Sequence, residues 1–171
     1  MTVSMYSFSV PILSHALRNL DWYLETAIKY AADNGIDEKE LFDARLFHDM
    51  LPLSAQVQRA SDTAKASMAR LTGLPVPSFP DEEKTLSDLR TRLAKTVELL
   101  ETFTPESLAG SEEREVKLPF LDVPLSGYVY AAHFMIPNFF FHVTTVHDIL
   151  RNRGLPVGKR NFLGKVESIN G

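Results

Sequence analysis

At 171 residues, 44% of them hydrophobic and 23% charged, the chain is long enough for one domain, residues 1–171, that buries most of its unfolded surface without a disulfide or structural zinc. It has no Cys, which excludes thiolate catalysis, CxxC redox chemistry and cysteine metal sites and agrees with a reducing compartment, so a cytoplasmic location is expected. A net charge of −4 with scattered Lys and Arg gives no electrostatic reason to expect nucleic acid, and neither a signal peptide over Met1–Ser9 nor a run of ~18 apolar residues points to a membrane.

The first helix is marked by Leu13, Ala16, Leu17, Leu20, Leu24, Ala27, Ile28 and Ala31, recurring at three- and four-residue steps, with Pro11 in its first turn and Asn34-Gly35 as its stop. Asp37 to Phe47 reads as a short helical turn capped by Asp37. A second long helix follows Asp49-Met50-Leu51-Pro52, lined by Leu53, Val57, Ala60, Ala64, Met68 and Leu71 and ended by Gly73. Three prolines make Pro75-Val76-Pro77-Ser78-Phe79-Pro80 an extended linker.

The third helix is expected to start with Asp81, Glu82 and Glu83, acidic residues suited to a helix N-terminus, and to carry a stripe of Leu86, Leu89, Leu93, Val97, Leu100 and Phe103 up to Pro105. Between Arg114 and Ser126 two short extended runs interrupted by proline predict a small hairpin or loop. The fourth helix spans about Gly127 to Arg153, with Gly154 as its stop. Four amphipathic helices with two long connections make an all-α four-helix bundle.

The fourth helix holds the most informative residues. Asn138 and His142 lie four apart, on one helical face, inside a segment too rich in Phe, Val, Ile and Leu to be solvated. Pro137 just before them removes a backbone donor and leaves the His133 carbonyl without its usual partner, so a kink or a polar compensation is expected there. Phe139, Phe140 and Phe141 cannot share one direction on a helix, which leaves packing within the bundle or a homodimer contact as the two readings of the run.

The stretch Pro137-Asn138-Phe139-Phe140-Phe141-His142-Val143-Thr144-Thr145, followed by Ile149-Leu150-Arg151 and Gly154, resembles a bacterial family of domains of unknown function similar to the DinB/YfiT-like bundles. Arg45-Leu46, Asp49-Met50, Pro52-Leu53, Gln56-Val57-Gln58, Val76-Pro77-Ser78-Phe79 and Gly154-Leu155-Pro156-Val157-Gly158-Lys159 carry the same likeness. The resemblance implies a bundle that in many relatives holds a divalent metal on three histidines, one from the second helix and two spaced by four on the fourth; some relatives are thiol-dependent transferases or hydrolases. His142 falls where the last histidine would be, and Asn138 stands at the preceding one. Gln56 is the nearest match on the second helix, with His48 just ahead of it. A His, Asn and Gln trio is a weak set for Zn, Ni, Mn or Fe, because amide oxygens are neutral donors poorly suited to late transition metals.

The resemblance therefore implies a degenerate metal triad in a small-ligand-binding or non-catalytic protein. Its alternatives are a divalent-metal-dependent transferase or hydrolase using His142 and His48, and an oligomeric scaffold. Among the other polar residues, His133 and His147 sit off the Asn138–His142 face and read as bundle-surface or interface residues, and His15 as part of a polar face. Asp49 reads as the cap of the second helix. The acidic runs Asp81-Glu82-Glu83 and Ser111-Glu112-Glu113 read as solvated, and Lys159-Arg160 with Lys165 as a solvated tail. The chain lacks a Walker loop, a Rossmann glycine fingerprint, a Gly-x-Ser-x-Gly elbow and an HExxH motif.

Overall fold

Pro11 sits in the first turn of helix α1 (Val10–Asn34), where its missing N–H has no intrahelical partner to lose, and Gly35 closes the helix at φ 65°. A computed structural model of the chain describes residues 3–165. The short α2 (Glu38–Phe42) is capped by Asp37, whose carboxylate accepts from the Lys39 N–H at 2.9 Å, and it ends five residues earlier than the sequence suggests. Asp49 does not cap α3 (Leu53–Thr72): Pro52 occupies that position and no side chain bonds the first turn. Gly73, at φ 74°, ends α3 as expected.

Helix α4 (Leu86–Glu101) starts later than the acidic run. Its N-terminus is a capping box in which the Thr85 hydroxyl accepts from the Asp88 N–H and the Asp88 carboxylate accepts from the Thr85 N–H. A reciprocal cap satisfies two orphan donors at once, whereas Asp81 to Glu83 offer only a favourable charge. Strands β1 (Glu115–Val116) and β2 (Leu125–Ser126) form the expected hairpin, with Glu115 opposite Ser126. At Gly127 any side chain is excluded, because a Cβ would stand 1.8 Å from the Ser111 carbonyl oxygen.

The fourth long helix runs as α5 (Gly127–Tyr130), a π turn over Ala131–Met135 and α6 (Ile136–Asn152). This is how the chain accommodates Pro137. The Ile136 N–H reaches back five residues to the Ala131 carbonyl, and Pro137 then falls in the first turn of α6 rather than in a helix interior. Gly154 follows at φ 96°, and the Leu155 N–H closes the end on the Leu150 carbonyl at 3.0 Å. A last short helix, α7 (Lys159–Leu163), folds back on α1.

The bundle is built from α1, α3, α4 and the α5–α6 column around Leu13, Leu17, Leu20, Leu24, Leu53, Val57, Met68, Leu89, Leu93, Phe139, Val146 and Ile149, all buried. Arg90 grips Asp21 with two hydrogen bonds and Arg18 pairs with Glu101, so α1 and α4 run antiparallel. Among the described residues no helix is long and apolar enough to cross a membrane.

The acidic run has a different role from the expected one. Arg92, only 3% exposed inside the bundle, donates to Asp62 (2.7 Å), Glu83 (2.9 Å), Ser61 (3.2 Å) and the Pro80 and Phe79 carbonyls, and pairs with Asp81 at 3.0 Å. Lys65, also buried, lies 3.7 Å from the centre of the Phe79 ring and 3.4 Å from Asp62. Burial lowers the Lys65 pKa, and Asp62 opposes that shift. These cations latch the proline-rich linker onto α3 and α4. Asp81 and Glu83 are its anionic anchors rather than solvated charges.

Candidate functional site

A ladder of polar pairs joins α3 to the fourth helix. Gln56 and Thr63 are two turns apart on α3, so both face α6. There Gln56 Oε1 lies 2.7 Å from His142 Nδ1, and the Thr63 hydroxyl accepts from Asn138 Nδ2 at 2.8 Å. Further along, the Ser67 and Tyr130 hydroxyls are 2.8 Å apart, and Arg70 donates to the Tyr130 oxygen at 3.2 Å. The partner numbers rise on α3 as they fall on the fourth helix, which makes the two antiparallel.

The tautomer of His142 follows from its neighbour. Gln56 Nε2 donates to the Leu51 carbonyl at 3.3 Å, so Gln56 Oε1 is the acceptor and His142 Nδ1 carries the proton. The lone pair of the neutral ring is then on Nε2. Burial lowers the His142 pKa, and the positive charge of Arg59, one turn beyond Gln56, lowers it further. Both effects favour the neutral ring.

The structure brings His142 and Gln56 together and ties Asn138 to Thr63. His48 is not joined to them: its ring is exposed in the α2–α3 connection, tilted at 53° against Phe47 with centroids 4.5 Å apart, and among the described residues it forms no hydrogen bond with the seam. The donor set fits a tightly held divalent cation poorly. The Gln56 oxygen accepts the His142 N–H, Asn138 donates from its nitrogen to Thr63 and keeps only a neutral amide oxygen to offer, and Arg59 adds a positive charge. Among the described residues no group of three or more His, Asp or Glu side chains is placed to hold a metal ion.

Three residues of this neighbourhood escaped the sequence reading. Thr63 was accessible through helical register, seven residues after Gln56. Arg59 carried no signal on its own. Tyr23, 1% exposed on α1, sits 2.8 Å from His147 Nδ1, and burial pushes its hydroxyl pKa up to about 12. His147 is therefore half-buried at the α1–α6 contact, an interface rather than a surface position among its two expected readings. The Phe run divides as its spacing demands: Phe139 is fully buried, Phe140 packs edge-on against it, and Phe141 is 54% exposed beside His142.

The model of the family described as a domain of unknown function (DUF1993) matches residues 5–163. The fold is also that of a crystal structure of a DinB family member protein from Shewanella denitrificans: the TM-score is 0.91 and the identity 37%, over 95% of this chain and 93% of that one. No curated protein matches.

Proposed function

The chain belongs to the DUF1993 family of DinB-like bundles, and we propose that it is a non-catalytic, small-ligand-binding member in which hydrogen-bonded pairs replace a metal triad. The observation that carries this reading is the contact between His142 Nδ1 and Gln56 Oε1 at 2.7 Å, which occupies the amide oxygen the second helix would offer a cation. The Asn138–Thr63 pair adds a second interhelical hydrogen bond, one turn from His142 on α6. His142 Nε2 and the Asn138 carbonyl oxygen would take donor groups of a ligand.

The test is elemental mass spectrometry of untagged protein purified without chelator or immobilised nickel, beside His142→Ala. Metal-free protein that fails to take up Zn, Ni, Mn or Fe(II) supports the proposal. Near one metal per chain, lost in folded His142→Ala, sinks it in favour of the second reading.

That second reading is a divalent-metal-dependent transferase or hydrolase. One observation favours it: an amide that accepts from His142 Nδ1 orients the ring with its Nε2 lone pair outward, as outer-shell partners do for metal-ligating histidines. A homodimer through Phe141 belongs with the proposal, since this large apolar ring is 54% exposed.

A further inference from the structure

Away from the α3–α6 seam, α7 and the first half of α1 enclose a groove of about 500 Å³, within the range of small-molecule sites. His15, Arg18, Asn19 and Trp22 recur at helical spacing along one face of α1 and form one wall; Arg160, Asn161, Gly164 and Lys165 form the other. The lining is rich in cations and hydrogen-bond donors and contains no carboxylate. Arg18 is paired with Glu101, but among the described residues Arg160 has no ion-pair partner.

The walls are fixed in place. His15 Nε2 donates to the Leu163 carbonyl at 2.7 Å and Asn19 Nδ2 to the Phe162 carbonyl at 3.1 Å. The turn at Gly164 (φ 65°) presses so close that a Cβ there would lie 2.4 Å from Asn19 Oδ1. A groove ordered before a ligand arrives loses less entropy on binding. Trp22, 41% exposed, lines the groove beside these cations. We propose that the α1–α7 groove binds a small aromatic carboxylate, with the Arg160 guanidinium taking the anionic group and Trp22 stacking on the ring.

Of the basic residues near the C-terminus, Arg160 and Lys165 line this groove while remaining exposed to solvent. The proposal does not depend on how the seam is used.

Trp22 is the chain's single tryptophan, so its indole N–H gives one assignable signal in ¹⁵N-labelled protein. That signal is followed during titration with benzoate, with benzyl alcohol as the uncharged counterpart and acetate as the carboxylate without a ring. Benzoate is expected to shift it saturably. Arg160→Gln should weaken benzoate about five-fold, while the exposed, distant Lys117→Gln leaves it unchanged. A non-saturating shift, unchanged affinity in folded Arg160→Gln, or benzyl alcohol or acetate binding as tightly as benzoate would each overturn the proposal.

Discussion

Replacing Arg92 by Leu tests whether a charge cluster, rather than the apolar stripe alone, seats the linker on the bundle. After the change Asp62 keeps Lys65 at 3.4 Å and Arg59 at 3.6 Å, and Asp81 keeps Arg59 at 3.7 Å. Glu83, with a side chain only 11% exposed, keeps Gln58 alone, and two linker carbonyls lose their donor. Leaving one buried carboxylate uncompensated costs about 3–5 kcal/mol. At roughly 2–4 °C per kcal/mol for a domain of this size, Tm should fall by roughly 6–20 °C.

The loss should depend on pH in a stated direction. Burial alone would raise the Glu83 pKa, but hydrogen bonds from Arg92 and Gln58 outweigh it and hold the group below its ordinary value. In the wild type this contribution is present above the unfolded pKa of about 4.3 and is lost as pH falls through the folded value. In Arg92→Leu burial loses the Arg92 opposition and only the weaker Gln58 and backbone hydrogen bonds remain, Glu83 takes up a proton more readily, and the gap between the two proteins narrows from pH 7 to about pH 4. Urea unfolding followed by circular dichroism at both pH values measures it. A cost under about 1 kcal/mol at pH 7, or no recovery in Arg92→Leu/Glu83→Gln, would refute the assignment of the latch.

The remaining predictions concern the helix contacts. Because the folded His142 pKa lies below 6.5, the unfolded chain binds a proton first on acidification; stability should fall as pH drops from 6.5, and His142→Gln should flatten that slope in urea unfolding. Tyr23→Phe removes the hydroxyl bonded to His147 and should cost about 0.5–1.5 kcal/mol by the same assay, with no change in the Trp22 signal on benzoate titration. Phe141→Ser should convert a dimer to monomer in sedimentation without loss of Tm; a wild type that is already monomeric at high concentration rejects the Phe141 contact.

Heptad-like stripes made the four long helices legible because their burial is one-sided, and the glycines after α1 and α3 stood where a left-handed end is required. What escaped the sequence were interactions between segments distant along the chain. Asp81 and Glu83 look like the first turn of a helix by composition, yet their partner is Arg92, a cation placed within an apolar stripe between Leu89 and Leu93. A buried arginine inside such a stripe is a conflict between local pattern and burial, and it resolves only through acidic residues elsewhere in the chain.

Pro137 shows the same logic in the backbone. Sequence predicts a kink or a polar compensation for a stranded carbonyl, and the chain answers with a π turn that ends two residues before the proline, so the helix begins again with proline in its first turn. Asn138 therefore belongs to the first turn of α6, where its amide reaches Thr63, and His142 follows one turn later opposite Gln56. Pairing of 56 with 142 and 63 with 138 falls within α6, where the buried Phe139, Val143 and Val146 hold the helix on the bundle and the two positions that resemble ligand slots make interhelical hydrogen bonds.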